Sequence, residues 1–245
     1  MPLPPTAHDA HPPAGPTWRQ RLRRLTRPAW LGTLRRTRPL SSRWGEDRGT
    51  PVDRYYIERF MEEHRADLRG RVLEVKESEY TRRFGRDVEW ADVLDIDPGN
   101  PQATVVADLT AADAVPSDSF DCFVLTQTLQ FIYDTRAALR HAWRVLRPGG
   151  ILLATVPATS RVITGVEYLR DYWRFTEASC TELFGERFGP ARVSVRGRGN
   201  VLTCIAFLSG LAYEELSRSE LEADDPAFPL LITVRAVKAG AATTG

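Results

Sequence analysis

Short apolar runs alternate with stretches of helical periodicity along most of this chain. The clearest unit begins at Phe120-Asp121-Cys122-Phe123-Val124-Leu125-Thr126, passes through a helical segment and resumes at Gly150-Ile151-Leu152-Leu153-Ala154. Parallel neighbours need a long connection, so this pattern predicts a strand, a crossover helix and a second parallel strand. Further strands are expected at Arg71–Val75, Asp92–Ile96, Thr104–Ala107, Arg192–Arg196 and Leu230–Val237. Helices are expected at Thr135–Leu146, Thr176–Phe188 and Asn200–Leu216. In one more, Tyr56, Ile57, Phe60 and Met61 recur at helical spacing; Asp53 is read as its cap, and Leu68 ends it before Gly70. Alternation of the two element types predicts an α/β fold, a doubly wound, mostly parallel seven-stranded sheet covered on both faces.

Composition changes this picture mainly at the N-terminus. The 245 residues suffice for one α/β domain and some extra chain. Residues 1–16 are rich in Pro, Ala and His and are expected to be disordered. Trp18–Arg43 holds nine arginines and no acid, with Leu22, Leu25, Trp30, Leu31 and Leu34 interleaved and Pro28 and Pro39 as breaks. Two readings of this arm stand: a contact with a membrane surface, an acidic partner or a glycan phosphate, and a solvated basic tail. The formal net charge of the whole chain is only +1, which argues against a specific nucleic-acid binder. Cys122, Cys180 and Cys204 form neither a C-x-x-C pair nor a Cys/His cluster, so they read as buried thiols of a reducing compartment. No run approaches the roughly 18 apolar residues of a membrane span. Met1-Pro2-Leu3-Pro4-Pro5 lacks the apolar stretch of a signal peptide, and a cytoplasmic location is expected. His8, His11, His64 and His141 are read as surface residues with no metal-ligand spacing.

Ligands of open parallel sheets bind at the carboxyl ends of the strands, where the strand order reverses. The residues around the clearest strands are distinctive: Asp118-Ser119-Phe120-Asp121 opens one, and Leu146-Arg147-Pro148-Gly149-Gly150-Ile151-Leu152 leads into the next. From about Gly70 to Lys238 this wording resembles the class I S-adenosylmethionine-dependent methyltransferases, in their type 11 domain group. The resemblance implies a Rossmann-like sheet with an antiparallel last strand inserted beside the fifth, and S-adenosyl-L-methionine as cofactor. It divides the chain into an arm (1–43), a lid segment (44–69), a methyltransferase-like domain (70–238) and a disordered tail (239–245).

The same resemblance assigns site residues. Glu74 matches the acid at the end of the first strand, with Val75 beside it. Lys76, Ser78 and Tyr80 stand where the family has glycines, and the next glycine is Gly85. Glycine serves there because it accepts positive φ; a residue with a side chain costs roughly 1–2 kcal/mol in that conformation. Lys76 also brings a positive charge towards a sulfonium, unless Glu77 or Glu79 offsets it. Either the loop still holds the cofactor, by backbone groups near Tyr80–Gly85, or the site is lost. After the second strand Asp97, with Asp95 as runner-up, suits the two ribose hydroxyls, because a carboxylate offers several lone pairs and no competing donor. The other reading of Asp97 is a turn before Pro98-Gly99. After the third, Asp108 faces the adenine amine and the Leu109 amide a ring nitrogen, or else Asp108 caps a short helix. After the fourth, Thr126 and Gln127 line the cofactor. Gln130 replaces the usual histidine; it positions a hydroxyl but cannot act as a base. After the fifth, Asp171-Tyr172-Trp173-Arg174-Phe175-Thr176 either walls an acceptor pocket, with sugar rings stacking on Tyr172 and Trp173, or packs as core with Arg174 on a carboxylate. Arg54 and Tyr55 face the acceptor. Asp171 and Asp53 are the candidate bases.

The implied activity is methyl transfer to a hydroxyl of a small saccharide, glycan or secondary metabolite. The alternative is a catalytically inactive domain that serves as a partner, for example of a glycosyltransferase. A nicotinamide oxidoreductase is disfavoured, since no Gly-x-Gly-x-x-Gly follows the first strand.

Overall fold

A computed structural model describes residues 18–26, 32, 35–164 and 170–240. The readings of residues 1–17, of 27–31 and 33–34 (Pro28, Trp30, Leu31 and Leu34 among them), of 165–169 and of 241–245 lie outside the described residues. The chain divides into two compact units, Met1–Arg38 and Pro39–Gly245. In the first, helix α1 spans Trp18–Thr26.

The second unit is built on seven strands: β1 (Gly70–Val75), β2 (Val88–Asp95), β3 (Val105–Val106), β4 (Phe120–Thr126), β5 (Leu146–Pro157), β6 (Val193–Arg198) and β7 (Leu231–Val237). Their order in the sheet is β3-β2-β1-β4-β5-β7-β6. The β2–β3, β1–β2, β1–β4 and β4–β5 pairs are parallel, and β7 runs antiparallel between β5 and β6. The expected insertion beside the fifth strand is present. Strand order reverses between β1 and β4, which fixes the crevice where a ligand fits.

Strand side chains alternate between two faces, and each face has its own core. Leu73, Phe123, Leu125, Leu152 and Ala154 pack on one side with α4 (Thr135–Val145) and α5 (Glu177–Phe188). Val72, Cys122, Val124 and Leu153 pack on the other with α2 (Val52–Glu63) and α6 (Val201–Ser209). Each fully buried Leu, Ile, Val or Phe contributes about 1.5–3 kcal/mol, so the two apolar layers dominate stability. Cys122, Cys180 and Cys204 are free, buried thiols, as expected.

Four expectations need correction. Helix α2 ends at Glu63 and not at Leu68, because His64 leaves helical geometry at φ −113° and ψ 20°. Helix α2 starts at Val52 after Pro51, so Asp53 sits inside its first turn and does not cap it; proline at the boundary fixes φ and sets the helix start. The helix expected at Asn200–Leu216 ends at Ser209, because Gly210 takes φ +75° and caps it in the left-handed form. A 3₁₀ turn at Tyr213–Glu215 follows. His141 is buried at 4% exposure against the α4 core, not on the surface. Two short helices had no signal: α3 (Glu79–Phe84) and α7 (Arg218–Glu222).

Candidate active-site cleft

At the carboxyl ends of β1, β4 and β5 a cleft of about 260 Å³ opens between the sheet, the first turn of α2 and the segment that follows β5. Its shape begins with backbone geometry. Lys76, just past β1, has φ +70°. The loop therefore makes the left-handed turn that glycine makes without strain, and bears a cost of roughly 1–2 kcal/mol. Neighbouring bonds hold it there. The Lys76 amide donates to the Leu94 carbonyl at 2.9 Å, and Asn100 Nδ2 donates to the Lys76 carbonyl and to Asp95 Oδ2, each at 2.6 Å. Gln127, just past β4, has φ +45° and donates its amide to the Thr155 carbonyl at 2.8 Å. Among the described residues five non-glycine positions have positive φ, and three of them, Trp44, Lys76 and Gln127, line this cleft. Backbone strain concentrated in this way is characteristic of functional sites.

Besides Lys76, six residues singled out in the sequence converge on the cleft: Asp53, Arg54, Gln127, Gln130, Asp171 and Arg174. Asp53 Oδ1 is buried and has no hydrogen-bond partner. Burial pushes its carboxyl above the usual range, against the opposing pull of Arg54. Gln130 is buried; its Nε2 donates to the Gln127 carbonyl at 2.8 Å, and its Oε1 is a second buried acceptor with no partner. Two unpaired acceptor oxygens in one cleft call for a ligand that carries donors, since each is otherwise worth about 1–3 kcal/mol of lost solvation. Arg54 donates to the Tyr80 hydroxyl and lies over that ring, 5.8 Å from its centroid. Burial raises the Tyr80 phenol to about 12, so it remains a neutral partner.

Asp171 is differently placed. Arg174 binds it through two nitrogens, at 2.5 and 2.9 Å, and the Ile163 amide donates to it at 2.9 Å. Burial alone would raise its proton affinity, but Arg174 and the Ile163 amide outweigh burial and hold the carboxyl below the usual range. A carboxylate so satisfied is a poor proton acceptor, and the pair instead braces the segment after β5.

The remaining candidates do not line the cleft. Glu74 is 1% exposed and accepts from the Tyr80 amide at 3.0 Å, the Thr81 amide at 2.8 Å and the Thr81 hydroxyl at 2.6 Å. It clamps the start of α3, and burial raises its pKa against those bonds. Val75 packs against the first core layer, and Leu109 is part of it. Thr126 pairs with Thr155 across β4 and β5. Asp97, beyond β2, accepts from the Gly99 amide at 2.8 Å, the turn foreseen before Pro98-Gly99. Asp108, beyond β3, accepts from the Thr110 amide and hydroxyl, both at 2.8 Å. Tyr55 faces a second groove with Tyr213 and Leu221.

Tyr172 and Trp173 are exposed at 42% and 37%, and Tyr133, which the sequence reading overlooked, joins them at 68%. Tyr133 meets Tyr172 edge-on at 5.3 Å and stacks on Trp173 at 5.7 Å. Trp173 Nε1 donates to the Ile132 carbonyl at 3.0 Å, and the Tyr172 amide donates to the Gln130 carbonyl at 2.8 Å, so this platform is fastened to the turn that carries Gln130. Phe175 is buried, as its core reading required.

Residues 62–154, from the end of α2 through most of β5, match the family model described as a methyltransferase domain. Among solved structures, the chain is similar to a phosphoethanolamine N-methyltransferase 2 from Haemonchus contortus, at 14% identity and a TM-score of 0.46, over 70% of this chain and 49% of that one. The present chain thus spans about half the length of the nematode enzyme. A methyltransferase from Mesorhizobium loti aligns at 14% identity and a TM-score of 0.47, over 76% of this chain and 98% of that one. One from Archaeoglobus fulgidus aligns at 11% identity and a TM-score of 0.49, over 76% and 94%. No curated protein matches the chain. Likeness at this distance says nothing of substrate.

Proposed function

We propose that the protein is an S-adenosyl-L-methionine-dependent methyltransferase that acts on a hydroxyl of a saccharide or secondary metabolite, with Asp53 as the base. The observation that carries this reading is Asp53 Oδ1, buried and unpaired in the cleft, with its proton affinity raised by burial. A base tuned upward in this way is suited to take a proton from an alcohol near neutral pH, an effect worth roughly 10²–10⁴-fold.

The residues present fit the cofactor. Asp97 and Asp108, at the tips of neighbouring strands, suit the ribose diol and the adenine amine, with the Leu109 amide on the ring. Gln127 supplies an adjoining wall, Val75 and Thr126 end the strands behind it, and Glu74 holds the loop in shape. The unpaired Gln130 Oε1 suits the methionyl ammonium or the acceptor hydroxyl, and the Lys76 ammonium suits the methionyl carboxylate. When bound, the sulfonium supplies an already electrophilic methyl carbon. The protein's task is then alignment and exclusion of water. Arg54 and the Asp171–Arg174 pair fix the acceptor side, Gln130 orients the hydroxyl, and Asp53 receives its proton. The Tyr133, Tyr172 and Trp173 faces support a saccharide acceptor, since sugar rings present apolar C–H faces to aromatic rings.

The test is transfer of labelled methyl from S-adenosylmethionine to a panel of saccharides and hydroxylated metabolites. Incorporation is expected to rise with pH through the elevated Asp53 value and to fall about 10²–10⁴-fold in Asp53→Asn, with S-adenosylhomocysteine affinity unchanged. Full activity in Asp53→Asn removes it as the base, and no incorporation into any acceptor favours the inactive-partner alternative.

A further inference from the structure

A surface helix of a water-soluble domain normally turns polar residues outward. Helix α6 does the reverse. Its inward face is Thr203, Cys204, Ala206 and Phe207, all buried. Its outward face is Val201, Leu202, Ile205 and Leu208, exposed at 49%, 37%, 43% and 47%. Phe228, also exposed at 49%, lies in the segment beside α6, where its carbonyl accepts from Cys204 Sγ at 3.5 Å. Contiguous exposed apolar surface of this kind marks an interaction site.

Charge decides the occupant. The C-terminal end of α6 is tied to the start of the second unit, where the Leu40 amide donates to the Ser209 carbonyl at 2.7 Å. Immediately before Leu40 in sequence, residues 18–39 of the arm hold eight arginines and no acid. Taken by itself, α1 within that arm is an amphipathic basic helix. Trp18, Leu22 and Leu25 share one helical face and are exposed at 69%, 52% and 79%, and Arg19 and Arg23 flank that face. Arg/Lys on one side of such a helix and Trp/Leu on the other is the pattern of helices that lie in the plane of a membrane interface. Juxtamembrane arginines are attracted to anionic headgroups. Among the described residues no helix is long and apolar enough to cross a bilayer, so contact is peripheral.

We infer that the protein docks on an anionic lipid surface, with the outward stripe of α6 entering the interface and α1, as a separate unit tethered through residues 27–39, laying its apolar face in the same surface with its arginines on the headgroups. Because Phe207 on the inner side of α6 lines the cleft, docking sets the cleft beside the bilayer.

The full chain is tested by sedimentation with phosphatidylglycerol/phosphatidylcholine vesicles and with phosphatidylcholine vesicles alone, alongside light scattering. The protein is expected to partition at least ten-fold more strongly onto the anionic vesicles, less so in high salt. Ile205→Glu/Leu208→Glu and Leu22→Glu/Leu25→Glu are each expected to lower partitioning at least ten-fold. Ile205→Ser/Leu208→Ser, which removes apolar contact without adding charge, serves if the glutamates unfold the helix. No partitioning onto anionic vesicles overturns the proposal, as does unchanged partitioning in a folded α6 variant. A dimer that the α6 variant converts to monomer, with no vesicle binding, assigns the stripe to a second copy of this chain instead.

Discussion

Lys76 carries the sharpest tension at the residue scale. Its position calls for glycine, and the structure keeps the glycine conformation with a lysine in it, at φ +70°. The side chain therefore does not reroute the loop; Asn100, which bridges Lys76 and Asp95, absorbs the strain locally. Lys76→Gly is expected to stabilise the fold by about 1 kcal/mol, because the relieved strain exceeds the backbone entropy that glycine adds to the unfolded chain. The midpoint of urea unfolding measures this, and a decrease would show that the lysine side chain contributes contacts worth more than the strain. Asp53 and Glu74 show why residue types were easier to read than residue roles. Both were visible as acids. That one oxygen of Asp53 has no partner, while Glu74 accepts three hydrogen bonds within its own loop, depends on burial and on partners, which only the folded chain fixes.

At the scale of elements, the alternation of apolar runs and helical periodicity identified all seven strands and the long helices, because sheet and helix interiors impose periods of 2 and 3.6 on the sequence. The errors lie where a single backbone conformation overrides the pattern. The run Asn200–Leu216 stays apolar past Ser209, but Gly210 in the left-handed form turns the chain against Ser41. A methyl group there would meet the Ser41 carbonyl oxygen. Gly210→Ala is expected to cost about 1–2 kcal/mol, from positive φ and that clash together. Thermal unfolding is the check, and an unchanged midpoint would mean that the 39–42 strap yields freely. Helix α3 was missed because its six residues are too few to show a period, and because what starts it is the side chain of Glu74 on the preceding strand.

For the whole molecule, the acids at the strand ends and the antiparallel last strand were legible because the topology places strand tips at one edge. The cleft itself was less so. Asp53 and Arg54 come from a helix that precedes the sheet in sequence, and Asp171–Arg174 from a segment that follows β5; their convergence is a product of long-range packing. Asp97 and Asp108 remain at the tips of β2 and β3, outside the lining of the cleft. The account therefore requires a ligand long enough to run from those tips, past the Lys76 turn, to Asp53. Calorimetric titration with S-adenosylhomocysteine tests that requirement most directly. Saturable micromolar binding, weakened at least ten-fold in Asp97→Ala and in Asp108→Ala, is the predicted result; a folded protein that takes up no heat, or whose affinity ignores both substitutions, would contradict it.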